Sequence, residues 1–434
     1  METKDLIIDD ADRGIFRYHR SSLTSPGVLE LEKERIFDRC WLYLGHESEV
    51  EKPGDYRRRN VAGRPLFFVR GEDGRVRVFL NSCPHRGAVL CRRDEGNAKV
   101  FQCFYHAWTF GINGELAGFP DREGYSDQFD WTTMGLVSPP RVDSYRGFYF
   151  VSFNRHVEDL ETFLAGAKEY IDIIADQSED GMRVSSGSHQ YSVQSNWKLM
   201  TENGIDGYHL LPLHRSYFEY VFNLAREVPG ASLLEDWEPG GVLSLGNGHA
   251  VAISGGSAGR TVAHWHPLLG EDTKEEVTRI RERLVERFGE ERAYRIADYN
   301  RFILIYPNLF IYDFIYTTIK VHWPTAPDRS EVTGWSLVPS EHSSNLLARR
   351  LDNFLTLAGP GGFAIPDDIE AAESCQAGIQ AGGPEWSDVS RGMHRQDSTS
   401  DELQMRTFWR QWHGHLTGRD KVETADRVPQ KAGD

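Results

Sequence analysis

The sequence predicts an α+β protein in which a small all-β domain precedes a larger domain built on an antiparallel sheet. Three observations carry this expectation. Between Trp41 and about Phe153, short runs of β-branched and aromatic residues are separated by closely spaced turn residues. Over 158–177 the apolar residues Leu160, Phe163, Leu164, Ala167, Ile171 and Ile174 take up helical spacing. Beyond that point strands and helices both occur in runs, which suits an antiparallel α+β domain. The expected divisions fall at 1–40, 41–157 and 158–434.

Taken in order, residues 28–40 read as a helix ending near Cys40. Pro65–Arg70, the turn Glu72-Asp73-Gly74 and Arg75–Leu80 read as a strand pair, and Phe148–Phe153 follows the turn Arg146-Gly147 as another strand. After the helix at 158–177 come a strand at 188–195, a helix at 197–211 and a Gly/Ser-rich strand-and-loop region at 239–260. A charged helix is expected over 273–298, and a long strand region over 301–323, interrupted at Pro307-Asn308. A strand at 331–340 and helices at 343–357 and 367–381 complete the series.

Composition narrows the function. With 434 residues, 39% hydrophobic and 12% aromatic, the chain can bury a sizeable core. A formal charge of −16 argues against nucleic-acid or anionic-membrane binding, since both want a basic face. The start Met1-Glu2-Thr3-Lys4-Asp5 lacks the basic and then apolar regions of a signal peptide, and no apolar run approaches a membrane span. A cytoplasmic location is expected. Of five cysteines, only Cys83 and Cys103 have metal spacing, so Cys40, Cys91 and Cys375 read as inert buried thiols.

Two ligand patterns carry the chemistry. The first is Cys83-Pro84-His85, a gap of 17 residues, then Cys103-Phe104-Tyr105-His106. Two thiolates for one iron and two imidazoles for the other make the Rieske [2Fe-2S] arrangement. Zinc takes the same four ligands, but zinc fingers usually pair Cys with Cys and His with His, whereas here both halves mix them. Tyr105 stands where respiratory-type Rieske proteins carry a disulfide cysteine, so Cys91 has no obvious partner. The turn Gly111-Ile112-Asn113-Gly114 fits a hairpin after the second loop.

The second pattern is Asp206-Gly207-Tyr208-His209, four residues, then His214. An i to i+3 spacing places Asp206 and His209 on one helical face, and Pro212 is expected to end the helix near Leu211 and swing His214 back. Two His and one carboxylate form the facial triad of non-haem Fe(II) oxygenases. The carboxylate is expected from Asp368 in Ile365-Pro366-Asp367-Asp368-Ile369-Glu370, with Asp367 as the alternative; capping of a helix start also favours Asp at both positions.

With both motifs, the Asn196-Trp197-Lys198 segment and Gly362-Phe363-Ala364-Ile365-Pro366-Asp367-Asp368, the chain resembles the large (α) subunits of Rieske non-haem iron ring-hydroxylating oxygenases over essentially its whole length. Asp38–His46 and Pro366-Asp367-Asp368 are most similar to the benzoate/cumate-type branch acting on aromatic carboxylic acids. The resemblance implies a Rieske domain at 41–157, a helix-grip catalytic mononuclear iron domain at 158–434, and a 1–40 helical segment packing on the latter. It implies His209, His214 and Asp368 as iron ligands. It further implies Asp206 as a carboxylate bridging to a cluster histidine, His106, of a neighbouring subunit, in homotrimers or α3β3 assemblies with a small β subunit.

The expected function is a terminal oxygenase component. It would take electrons from a reductase or ferredoxin and use O2 to hydroxylate an aromatic acid, most simply by cis-dihydroxylation. Alternatives are a Rieske monooxygenase or demethylase, a Rieske electron carrier, and a colourless zinc-bearing binding protein. No Rossmann fingerprint is present, so NADH is expected to act only through a partner reductase. His264-Trp265-His266 has no third ligand nearby, the run Thr273–Arg295 reads as a solvated helix, and Gly255–Gly259 reads as a mobile surface loop rather than a phosphate loop.

Overall fold

A computed structural model describes residues 6–185, 187–232, 240–255, 260–395 and 398–418. These form two compact units, one within 37–160 and one combining the stretch up to Ile36 with the stretch from Glu161 onward. The chain begins, in the larger unit, with hairpin strands β1 (Ile7–Asp10) and β2 (Ile15–His19) and helix α1 (Pro26–Glu32). The N-terminal stretch is therefore part strand. The helix expected over 28–40 is α1 followed by a wider π-type turn at Lys33–Phe37.

The smaller unit contains ten strands: β3 (Leu42–His46), β4 (Asp55–Val61), β5 (Arg64–Arg70), β6 (Val76–Leu80), β7 (Glu95–Asn97), β8 (Val100–Gln102), β9 (Thr109–Gly111), β10 (Leu116–Gly118), β11 (Arg141–Tyr145) and β12 (Phe148–Ser152). They pair as three antiparallel sheets, in the orders β6-β5-β4-β7, β10-β9-β8 and β11-β12-β3. Phe67, Phe79, Phe101, Trp108 and Phe110 form the core beneath the two cluster loops, and Cys83 and Cys103 belong to the same buried group. Large aromatic side chains suit so small a unit, because each buries much area at little conformational cost.

The larger unit continues, from the second residue of α2 (Leu160–Leu164), with α3 (Ala167–Ala175), β13 (Met182–Val184), β14 (His189–Val193), α4 (Trp197–Ile205), α5 (Leu210–Leu213), α6 (Arg215–Glu227), β15 (Gly241–Gly246), β16 (His249–Gly255) and α7 (Lys274–Ala297). Then follow β17 (Tyr299–Ile305), β18 (Leu309–Asp313), β19 (Thr317–Ala326), β20 (Arg329–Pro339), α8 (Ser344–Thr356), α9 (Ile365–Gln380), β21 (Trp386–Asp388) and α10 (Leu403–Thr417). Among the described residues eight strands make one antiparallel sheet in the order β13-β20-β19-β18-β17-β16-β15, with β14 also on β20. β21 pairs with β2.

Directly opposed residues share a sheet face. The registers put His189, Gly334, Lys320, Phe310, Leu304 and Ala250 in one row across that sheet, with Ser336, Thr318, Tyr312, Phe302 and Ala252 in the next. Helix α4 lies on this face. A Cβ on Gly204 would stand 2.6 Å from the Tyr312 hydroxyl and 3.0 Å from the Phe310 ring, so only glycine lets the helix approach so closely. Leu403 of α10 packs on the same face with Val242, Ala252 and Phe302.

Several expected boundaries change. The helix at 158–177 is two helices, broken at Ala165 (φ +45°). The strand region 301–323 is three strands, β17 to β19, because it turns back at Pro307-Asn308 and again after Asp313. Helix α10 was not anticipated, although Phe408, Trp409, Trp412 and Leu416 recur at helical spacing and are all fully buried. Each such side chain contributes roughly 1.5–3 kcal/mol on burial. Glu32 of α1 joins these elements. It accepts from Trp197 Nε1 at 2.9 Å and Trp412 Nε1 at 2.7 Å, and it pairs with the fully buried Lys198. Cys40 and Cys91 are buried, but Cys375 is exposed on α9, against expectation, because it lies at the edge of that helix's buried stripe of Ile365, Asp368, Ala372 and Gln376. Within the expected loop Gly255–Gly259, residues 256–259 lie outside the described residues. Among the described residues no helix is long and apolar enough to cross a membrane.

Candidate metal centres

The first centre is made of two turns with one hydrogen-bond pattern. In the first, Cys83 N donates to Ala88 O at 2.8 Å and Gly87 N to Cys83 O at 2.8 Å. In the second, Cys103 N donates to Trp108 O at 2.8 Å and Ala107 N to Cys103 O at 2.9 Å. Gly87 and Ala107, at the same place in each turn, both have positive φ, +75° and +55°. A non-glycine residue in that region is uncommon, which marks the second turn as held by its surroundings. Asn81, fully buried, fixes the first turn from below. Its Nδ2 donates to Cys91 O at 2.9 Å, and its Oδ1 accepts from Leu90 N at 3.0 Å and Cys91 N at 2.7 Å. Burial pushes the Cys91 thiol up to about 12, so it stays an inert neutral group.

These turns bring the four expected ligands together. The Cys83 and Cys103 thiols are both buried and lie within hydrogen-bonding reach of each other, and the backbone amides of His85 and Arg86 point at the Cys83 sulfur. The His85 and His106 rings lie 4.7 Å apart, and His85 stacks on Trp108 at 4.7 Å and 2°. His106 Nδ1 is buried with no hydrogen-bond partner. A pair of buried sulfurs beside a pair of imidazoles, one with an orphaned ring nitrogen, is a donor set that fits a His₂Cys₂ [2Fe-2S] cluster.

The second centre forms where α4 ends. The expected helix over 197–211 stops at Ile205, and Asp206 has extended backbone (φ −86°, ψ 118°). Asp206 and His209 therefore meet across a turn rather than along a helix face. Pro212 sits inside the short helix α5 instead of breaking the chain; the break comes earlier, at Asp206. Gly207 is required there, because a Cβ would run into the Thr399 carbonyl.

His209, His214 and Asp368 converge, with one ligand atom from each all lying within 4.8 Å of one another. Asp368 Oδ1 is 3.4 Å from His209 Nε2 and 3.2 Å from His214 Nε2. Each ring is held at its other nitrogen by a different carboxylate: His209 Nδ1 donates to Asp206 Oδ2 at 3.1 Å, and His214 Nδ1 to Asp367 Oδ2 at 3.3 Å. Asp206 Oδ1 also accepts from Tyr208 N at 2.7 Å, and Asn203 Nδ2 donates to Asp368 Oδ1 at 2.9 Å. Outer carboxylates of this kind fix ring orientation and raise ligand basicity. Asp367 and Asp368, open alternatives in the sequence, are thus given different places, one outside the imidazole pair and one between its Nε2 atoms.

The charges suit a cation. Burial alone would lower the His209 pKa, but hydrogen bonds to Asp206 and Asp368 outweigh it and carry it up to about 9. Burial likewise opposes ionisation of Asp368, yet the two histidines and Asn203 hold its carboxyl well below the usual range. Two imidazoles and one ionised carboxylate on converging atoms fit a facial-triad metal, which would take the place of the proton that His209 otherwise attracts.

Some contributors left no trace in the sequence reading: Asn81, Asn203, and the outer-sphere role of Asp367. Asn in a turn or helix looks ordinary until its amide partners are known. His264-Trp265-His266 is occupied otherwise. His264 Nδ1 lies 2.6 Å from Asp298 Oδ1, and His266 Nε2 donates to Ser232 O at 2.9 Å.

Comparison with known proteins places both units. Residues 40–140 match the Rieske [2Fe-2S] domain, and residues 181–418 match the ring hydroxylating alpha subunit catalytic domain. The chain is 34% identical to the toluate 1,2-dioxygenase α subunit of Pseudomonas putida over 89% of its own length and 84% of the relative's. It is 33% identical to the 2-halobenzoate 1,2-dioxygenase large subunit of Burkholderia cepacia, over 88% and 82%. A solved structure of naphthalene 1,2-dioxygenase with indole bound superposes with a TM-score of 0.81 at 25% identity, covering 97% of this chain and 96% of that one.

Proposed function

The chain belongs to the ring-hydroxylating α subunits that carry a Rieske [2Fe-2S] domain, and from that premise we propose that it is the terminal component of a dioxygenase acting on an aromatic carboxylic acid. The family's cofactors are a [2Fe-2S] cluster and a mononuclear iron, which supply single electrons and O2 activation when bound. Cys83, His85, Cys103 and His106 would hold the first, and His209, His214 and Asp368 the second. This chain's own part is positioning. Asp206 and Asp367 hold a proton at each imidazole Nδ1 and so leave both Nε2 atoms facing Asp368. Asn203 holds Asp368 in turn.

Family members use reductase or ferredoxin partners and form oligomers. In this reading NADH serves indirectly through the reductase, and Asp206 reaches His106 of the partner subunit in a trimer, with or without a small β subunit. The observation that carries the proposal is the convergence of His209, His214 and Asp368 in a chain that aligns over most of its length with large subunits of aromatic-acid dioxygenases.

The test is anaerobic purification, iron analysis, then turnover with a reductase, NADH and O2 against a panel of aromatic acids. About three irons per chain, two in the cluster and one at the facial triad, and a cis-diol product support it. A fully metallated protein that oxidises none of the acids would overturn the substrate class.

A further inference from the structure

Among the described residues two lysines are buried in the larger unit, and of these two one has a counter-ion. Lys198 is paired with Glu32 and flanked by the Trp197 and Trp412 rings. Lys320, 4% exposed, stands on β19 in the middle of the eight-stranded sheet, on the face that α4 covers. Among the described residues no carboxylate is in ion-pair distance of its ammonium and no hydrogen bond reaches it; its near neighbour is the Tyr312 ring, 5.2 Å from Nζ to centroid. A long lysine side chain ordinarily snorkels to open water, whereas this one stays on a central strand on the face that a helix covers. Gly334, its cross-strand partner, has no side chain to fill the space over the stem; a Cβ there would come 3.2 Å from Lys320 Cγ.

The surroundings also wait for a partner. The Tyr191 hydroxyl and His322 Nδ1 are buried without one. The register puts both residues in the row beside Lys320, on the same face, opposed to Val332 of β20. The metal site borders this patch. Tyr312 carries the lysine over its ring and presses its hydroxyl against Gly204, in the last turn of α4 before Asp206. Burial draws the lysine down to about 8, with Asp368 acting against that fall, so it remains cationic at neutral pH. A buried cation without a partner is costly, and buried charges are ordinarily paired, so an ammonium left without a counter-ion is open to a ligand of opposite charge.

We propose that Lys320 is the residue that recognises the substrate carboxylate, its ammonium pairing with the acid group and the Tyr191 hydroxyl donating a second hydrogen bond. This rests on the aromatic-acid reading above and adds to it the group that selects acids over neutral rings. Lys320 is a binding and specificity residue, and it takes no part in the oxygen chemistry.

The experiment compares wild type with Lys320→Met, which keeps the stem and removes the charge. Benzoate and its methyl, amino and halo derivatives are each paired with the corresponding amide, a neutral group of similar shape. Iron content, steady-state kinetics and ligand-induced change in melting temperature are read together. We expect Lys320→Met to keep its iron and, with no ligand, to melt no lower than wild type. Its KM for the preferred acid should rise by at least about 30-fold with kcat largely kept, as for loss of one partner of a buried charge pair. Acid-induced stabilisation should vanish while the amides affect both proteins alike.

Unchanged acid KM and unchanged acid stabilisation in Lys320→Met would overturn the role of Lys320 and leave the aromatic-acid reading standing. A Lys320→Met protein that fails to fold, or melts far below wild type, would also overturn it and assign the lysine to structure. If no acid binds to or is oxidised by the wild type, both readings fall together.

Discussion

In the cluster unit all four candidate ligands come from two turns that repeat one hydrogen-bond pattern, each closed by its own backbone and seated on an aromatic core. In the catalytic unit the ligands arrive from two places, with His214 and Asp367 paired across 153 positions of sequence. The first site is a local structure that the fold only has to juxtapose. The second exists only when the end of α4 and the start of α9 meet on the sheet. The difference teaches where each site is vulnerable. The candidate cluster loops depend on backbone geometry, whereas the candidate iron site depends on a chain of carboxylates that positions its imidazoles.

The largest expected effect separates the two sites. His209→Ala, His214→Ala or Asp368→Ala should lose the mononuclear iron and abolish oxygenation while the cluster absorbance persists. His85→Ala or His106→Ala should do the reverse, losing the cluster while the catalytic unit stays folded. Iron per chain and visible spectra check both, and loss of cluster absorbance in His214→Ala would show that the two sites are not independent.

Next comes the proposed bridging role of Asp206. Asp206→Asn keeps size and hydrogen bonding but removes the charge at His209 Nδ1. We expect both metals and the oligomeric state to be retained, with single-turnover oxidation of the reduced cluster slowed by about 10–100-fold or more. Wild-type rates would leave Asp206 as ordinary turn structure.

A smaller effect distinguishes the two neighbouring aspartates. Asp367→Asn should weaken iron binding by about 10–100-fold, the range for an outer-sphere partner, against outright loss in Asp368→Ala. An iron titration showing the opposite order would move the ligand by one position.

On the cluster side, Asn81→Ala leaves Cys91 O and two amides without their partner. It should destabilise the first turn by roughly 1–3 kcal/mol for each buried group left unsatisfied, seen as faster cluster loss on warming. An unaltered rate would mean that the turn holds itself.

The smallest effect is a pH dependence behind the iron site. Burial raises Glu202 to about 7 despite hydrogen bonds from Trp409 and Tyr18. Its folded value lies above the unfolded one, so the protonated form is the one the fold favours. The contribution is complete below about 4.5 and disappears as pH rises through about 7. Glu202→Gln should flatten the stability profile across that window, and an unchanged slope in denaturant melts would refute it.

Much of this was legible in the residues. The mixed Cys/His halves identified the cluster loops because their ligands sit two and three positions apart, a spacing that a single turn satisfies. Asp206, His209 and His214 were visible for the same local reason, although the helix thought to align them ends at Ile205. Asp368 could be paired with the histidines only through resemblance, and Asp367 could not be told from it. Lys198 entered only within the Asn196-Trp197-Lys198 segment, nothing local linked it to Glu32, and α10 went unread although its apolar spacing was there.

The sequence alone determined what depends on near neighbours: strand and helix periods, turn residues, ligand types and two candidate metal motifs. Tertiary structure alone decided which aspartate faces the two Nε2 atoms, which carboxylates hold the rings from outside, and which buried lysine has a partner. These are matters of convergence between distant segments. Local spacing carries no information about them, because the backbone between such segments can bring any of several side chains to the same point, and only packing on the sheet selects one.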